Sequence, residues 1–212
     1  MAIKLTKSQG INLKKDSSDL KEITFGLGWT QGITKKKDNE KKGFFSKLFN
    51  TSNTVENRFV SNSNVDLDAT ILGYIDGKCM YECSYKSKCS FAESSGDDTT
   101  GNNKKTDTDN EQIKIHLNTI PKNIDKLYLI MNIYNCNSRH QTLSMINKAY
   151  CNVYDKDMNI MAQFSLDETY GDNTGVLVGE ITKDSNGKFN MFTAIGDGYK
   201  VSSIDDFKYK IR

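Results

Sequence analysis

The chain is 212 residues long, with 36% hydrophobic residues, 26% charged residues, a formal net charge of +2 and a single proline. A chain of this length can bury a full core as one domain, and so balanced a charge gives no global pull towards nucleic acid, so no nucleic-acid partner is expected. No apolar run is long enough to span a bilayer and residues 1–7 lack the apolar stretch of a signal peptide, so the expected location is cytoplasmic; five cysteines without C-x-x-C spacing suggest neither a disulfide framework nor a zinc site.

In chain order, Ile3 to Leu13 holds two short alternating pieces split by Gly10, which predicts an edge strand turning back on itself. Ile23, Phe25, Leu27 and Trp29 then occupy every second position with Gly26 and Gly28 between them. That spacing predicts a strand with large side chains on one face and close approach on the other. Between about residues 30 and 64 the periodicity fails. Its middle sets Phe44, Phe45, Leu48 and Phe49 at helical spacing beside Lys41, Lys42 and Lys47, a short basic amphipathic segment. Two readings stand: the aromatics fold back on the body of the protein, or they contact an anionic membrane surface or a partner groove.

Beyond Val65, Ile71 to Ile75 leads into Asp76-Gly77, a tight hairpin signal, and Lys78 to Tyr81 returns. Ile113–Leu117 and the long apolar Leu127–Tyr134 predict two further strands, the second central because both its faces are apolar. Ser138 followed by Gln141 resembles a capping box, and with Leu143, Ile146 and Asn147 it predicts one short helix. Cys151–Val153, Ile160–Leu166 and Val176–Thr182 read as strands, the last turning at Asn186-Gly187 into Phe189, Met191, Thr193 and Ile195. Phe207, Tyr209 and Ile211 read as a closing strand. Many short strands and little helix predict an all-β fold, an antiparallel β-sandwich of two sheets with one or two short helices.

Two acidic stretches carry the chemistry. In Val65 to Ile71 the apolar residues alternate with Asp66, Asp68 and Thr70, so a strand would put both carboxylates on one face, tolerable if that face meets water or a cation. From Ser95 to Ile113 the chain crowds Asp97, Asp98, Asp107, Asp109, Asn110 and Glu111 between Gly96, Gly101 and the next strand. Such a loop is either solvated or an oxygen-rich site for a hard cation such as calcium, which takes six to eight oxygens. No window fits an EF-hand. His116 and His140 have no neighbouring nucleophile, and no phosphate-cradling loop or nucleophile elbow is present.

Here the chain resembles the TerD domain family of tellurite-resistance and stress-response proteins. The resemblance rests on Gly26-Leu27-Gly28-Trp29, Asp66-Leu67-Asp68-Ala69, Gly96-Asp97-Asp98-Thr99-Thr100-Gly101 with Asp109-Asn110-Glu111-Gln112-Ile113, Ile120-Pro121, Asn147-Lys148-Ala149-Tyr150 and Ala194-Ile195-Gly196-Asp197-Gly198-Tyr199. These matches run in the family's order through nearly the whole chain, which implies a single domain over residues 1–212 with a flexible basic insertion at about 30–64, where the family has a shorter connection. Asp98 adds a carboxylate to the family's pattern, Asn110 removes one, and the loop after Gly101 is longer and carries Lys104 and Lys105.

The resemblance implies a β-sandwich that binds calcium at one end and has no established enzymatic activity. The site would combine Asp66, Asp68, Asp97, Asp98, Asp107, Asp109, Asn110 and Glu111, with Glu168 added from a loop at the same end, around one or two Ca2+ ions. The function so implied is a non-enzymatic calcium-binding adaptor with protein partners in a stress-response complex, or one peripheral to the inner face of the membrane. The alternative is a hydrolase or nucleotide-binding enzyme that holds magnesium on the same carboxylates.

Overall fold

The computed structural model describes residues 2–13, 20–32, 64–101, 108–166 and 170–211. Its strands are β1 (Ile3–Leu5), β2 (Gly10–Asn12), β3 (Glu22–Gln31), β4 (Leu67–Ile75), β5 (Lys78–Cys83), β6 (Ala92–Ser94), β7 (Glu111–His116), β8 (Lys126–Ile133), β9 (Ile146–Tyr154), β10 (Ile160–Ser165), β11 (Gly175–Lys183) and β12 (Phe189–Tyr199). The first sheet has the order β1-β10-β9-β3-β7-β6 and the second β2-β12-β11-β8-β4-β5. All pairings are antiparallel except β1 with β10. The helices are α1 (Cys136–Arg139) and α2 (Ile204–Lys210), and no helix among the described residues is long and apolar enough to cross a membrane.

Period-two patterning builds the sandwich. Ile23, Phe25, Leu27 and Trp29 of β3 point inward to meet Leu67, Ala69 and Ile71 of β4 and Leu127, Leu129, Met131 and Ile133 of β8, forming one core between the sheets. On the other face of β3 the glycines admit close neighbours: a Cβ on Gly28 would lie 2.2 Å from the Tyr150 ring. The β4–β5 hairpin turns through Asp76 (φ 49°) and Gly77 (φ 72°), both left-handed, as an Asp-Gly two-residue turn requires. The second sheet is apolar on both faces at its centre. Leu72, Tyr74, Tyr128, Ile130 and Leu177 form its outer layer, which Val201, Phe207 and Ile211 cover.

Three expectations are corrected. The N-terminal pieces do not fold back on each other: β1 edges the first sheet beside β10 and β2 edges the second beside β12, so the chain crosses between sheets at residues 6–9. The helix placed over residues 138–147 is only the four-residue α1 followed by a 3₁₀ turn, Leu143–Met145, and Ile146 already begins β9. The left-handed His140 ends α1 and breaks the apparent stripe.

The closing strand is the helix α2. Ser203 caps it by accepting the Asp206 amide, Asp205 and Asp206 occupy its first turn, and Lys208 and Lys210 its last. The alternation of Phe207, Tyr209 and Ile211 misled because only Phe207 and Ile211, spaced i and i+4, are buried, while Tyr209 is 70% exposed. The basic segment with Lys41, Lys42, Phe44, Phe45, Lys47, Leu48 and Phe49 lies outside the described residues, as do Asp107 and Glu168.

Candidate metal centre

The cluster begins where β4 begins. Val65 is clamped by β3: the Trp29 indole N–H donates to its carbonyl at 3.2 Å, the Gln31 amide nitrogen donates to the same oxygen at 2.7 Å, and the Val65 N–H donates to the Gln31 side-chain oxygen at 2.8 Å. The Asp66 carbonyl then accepts the Tyr134 N–H at 2.9 Å. With both neighbours fixed, Asp66 and Asp68 are buried and Asp68 lies opposite Asn132 of β8. Asp97, exposed on the loop after β6, completes the group: one carboxylate oxygen from each of Asp66, Asp68 and Asp97 lies within 4.8 Å of the others.

Electrostatics make this arrangement costly without a cation. Asp66 Oδ1, Asp68 Oδ1 and Asn132 Oδ1 are buried side-chain oxygens with no hydrogen-bond partner among the described residues. Each is an acceptor left bare, which costs about 1–3 kcal/mol and more when charged. Burial, then Asp66 and Asp97, pushes Asp68 up to about 7. Burial and Asp97 raise Asp66 against the pull of Arg139, whose guanidinium lies 3.3 Å from Asp66 Oδ2. Arg139 and Lys86 both sit on the Tyr134 ring, at 5.2 Å and 4.0 Å from its centroid, and their charges draw Asp68 down. Two cations thus face three carboxylates.

The loop that delivers Asp97 is tied by its own side chains. Asp98 Oδ1 accepts the Thr100 amide at 2.9 Å, the Thr100 hydroxyl at 2.7 Å and the Gly101 amide at 3.2 Å, and its Oδ2 accepts from Asn110 at 2.9 Å. Partial burial would raise Asp98, but the donors from Asn110, Thr100 and Gly101 outweigh it and hold this carboxyl below the usual range. Asn110 in turn accepts the Trp29 amide at 2.9 Å. Gly101 closes the loop with φ +64°, and a Cβ there would lie 2.4 Å from the Trp29 indole nitrogen, so only glycine fits.

Glu111 points into the end of the sandwich. It accepts the Ala69 amide at 2.7 Å and the Asp98 amide at 3.2 Å, and burial pushes it up to about 8 against those two donors. Asp109 faces elsewhere. Its carboxylate accepts from Asn152 at 3.1 Å and Gln112 at 3.0 Å, and a Cβ on Gly26 would lie 2.0 Å from its Oδ2, which puts Asp109 over the outer face of the first sheet.

Of the residues singled out in the sequence, then, the structure brings Asp66, Asp68 and Asp97 together. Asp98, Asn110 and Glu111 adjoin them as the scaffold of the loop, and Asp109 turns outward. Sequence reasoning passed over Asn132, Arg139 and Lys86 in this role. Asn132 was detectable as the one amide within the apolar Leu127–Tyr134 run, whereas Arg139 and Lys86 reach the site only through folding.

Oxygen-only donors with bare buried acceptors suit a hard cation. The residues present therefore fit the calcium that the sequence resemblance implies.

Two six-stranded sheets face to face, with carboxylates gathered at one end, define a β-sandwich protein with a candidate cation site. The family model for the TerD domain matches residues 1–207, and the chain belongs to this family. It is 33% identical to the stress response protein SCP2 of Bacillus subtilis (strain 168), covering 97% of each chain. It is 30% identical to the tellurium resistance protein TerZ of Serratia marcescens, over 96% of this chain and 94% of that one. Among solved structures, a homologue of the telluride resistance protein (TerD) from Streptomyces coelicolor A3(2) aligns with a TM-score of 0.62 at 14% identity, covering 88% of this chain and 94% of the other, a likeness of fold.

Proposed function

We propose that the chain is a calcium-binding module of the stress-response and tellurium-resistance type, acting by binding rather than by catalysis. The carrying observation is the trio Asp66, Asp68 and Asp97, gathered within 4.8 Å, with Asp66 Oδ1 and Asp68 Oδ1 buried and unpartnered among the described residues. Asp66, Asp68 and Asp97 would hold the ion and Asn132 would supply a neutral oxygen, while Glu111 and Asp98 shape the loop. When bound, calcium supplies positive charge that cancels the repulsion among the carboxylates and fixes Asp97, the one exposed member, to β4. The names of the curated relatives support a role in resistance or stress; in this reading the surface of the ordered loop would meet a protein partner.

Calorimetric titration of the metal-free full chain tests this reading. Calcium should bind with measurable heat and magnesium much more weakly, because three carboxylates and an amide on separate segments form a tolerant rather than an octahedral cage. No heat from calcium at about millimolar concentration, in the range of weak extracellular-type sites, would overturn it.

A further inference from the structure

Two thiols that the carboxylate cluster does not use lie side by side at the end of β5. Cys83, its last residue, is buried, and Cys89 is half-buried beyond a short turn. That turn closes itself: the Ser84 N–H donates to the Ser87 carbonyl at 2.9 Å, and the Ser84 hydroxyl oxygen accepts the Lys86 and Ser87 amides, each at 3.2 Å. Cys89 also forms an isolated bridge with Ala92, and both sulfurs rest on the Ala92 carbonyl oxygen, at 3.3 Å for Cys83 and 4.0 Å for Cys89. The two sulfurs thus meet over one carbonyl oxygen, on either side of an ordered turn.

We propose that Cys83 and Cys89 are a redox-active dithiol, closed to an intramolecular disulfide by hydroperoxides. The fold has already ordered the turn, so closing it costs little chain entropy. Cys89 is the accessible member and therefore the attacking one. The neighbouring Cys83 thiol and the Phe91 and Ala92 backbone outweigh its partial burial and bring its thiol down to about 7, whereas the Cys89 thiol and burial push Cys83 up.

In the first step the Cys89 thiolate attacks hydrogen peroxide; an S–O bond forms, the O–O bond breaks, and the leaving hydroxide takes a proton to become water. In the second, the Cys83 sulfur attacks the Cys89 sulfur; an S–S bond forms, the S–O bond breaks, and hydroxide leaves with the Cys83 proton as a second water. Two thiols lose two hydrogens and one peroxide gains two electrons. The bridged turn carries Tyr85 and Lys86, which line the recess around Asp68, so the bridge would form beside the carboxylate cluster without consuming any of its members.

The test treats the reduced full chain with hydrogen peroxide, blocks the remaining thiols and maps the products by mass spectrometry. The proposal expects loss of two hydrogens in the peptide spanning Cys83 and Cys89, reversed by dithiothreitol. In the untreated protein at neutral pH, iodoacetamide should label Cys89 about tenfold faster than Cys79, which is also half-buried but whose thiol burial raises. Cys83→Ser should leave peroxide-treated Cys89 as a sulfenic acid that dimedone captures. Peroxide bridging only other cysteines or separate molecules, or Cys79 labelling as fast as Cys89 in the native chain, would overturn it.

Discussion

The Glu111 carboxylate of one sheet accepts the Ala69 amide of the other at 2.7 Å, at the point where β4 has lost its neighbour, since β5 pairs it only from Ile71 to Ile75. The same side chain accepts the Asp98 amide at 3.2 Å, so one buried acid joins β4, which carries Asp68, to the loop that carries Asp97. Removing it in Glu111→Ala leaves the Ala69 amide unpaired and frees the loop. The expected loss is about 1–3 kcal/mol in urea unfolding, together with a weaker calcium response.

Burial raises Glu111 from 4.5 to about 8 and Asp68 from 3.8 to about 7. The folded chain therefore holds these protons more tightly than the unfolded chain. Their stabilising contribution is complete below the unfolded values and is lost as pH rises through the folded ones. Without metal, the urea midpoint should fall steadily from about pH 5 to about pH 8. Glu111→Gln, which keeps an acceptor for Ala69 but no titration, should flatten that fall; an unchanged slope would remove Glu111 from the account.

Asp68→Asn relieves repulsion and should raise the melting temperature of the metal-free protein. It should also shrink the calcium-induced rise, which in the parent is expected to grow with free metal as RT ln(1 + [L]/Kd). A calcium-induced rise as large in the variant as in the parent would take Asp68 out of the site.

Asp109 separates scaffold from site. Because its carboxylate is engaged by Asn152 and Gln112 over Gly26, Asp109→Asn should leave calcium binding within about twofold of the parent. Gly26→Ala, by contrast, drives a Cβ into the Asp109 carboxylate and should cost about 1–3 kcal/mol of stability. Calorimetry on the first variant and chemical unfolding on the second check the pair.

The sandwich itself was legible because its signals are local. The alternation through Trp29, the Asp76-Gly77 turn and the two-sided apolar run of β8 each name their own structure. At the ends of the chain local signals conflicted. Phe207, Tyr209 and Ile211 alternate like a strand, yet Ser203, Asp205 and Asp206 cap a helix, and the apolar outer layer of the second sheet decides for the helix by burying Phe207. The site was legible in part for a related reason. Asp66 and Asp68 are placed by strand periodicity, but the outward turn of Asp109 and the inward turn of Glu111, two residues later, depend on Gly26 and on the vacancy beside Ala69, which only the assembled sheets define.

The helix reading carries its own check. Phe207→Ala should cost about 3–5 kcal/mol by opening a hole over Tyr74, Tyr128 and Ile130, while Tyr209→Ala should change stability by less than about 0.5 kcal/mol, its ring being exposed. Equal losses from the two would restore the strand.

The central claim is that Asp66, Asp68 and Asp97 hold a calcium ion. Anomalous diffraction from crystals grown in calcium tests it most directly. The account predicts a calcium peak with carboxylate oxygens of all three residues at about 2.3–2.6 Å. A peak only beside Asp109, or none while Asp97 stays clear of Asp66 and Asp68, would contradict it.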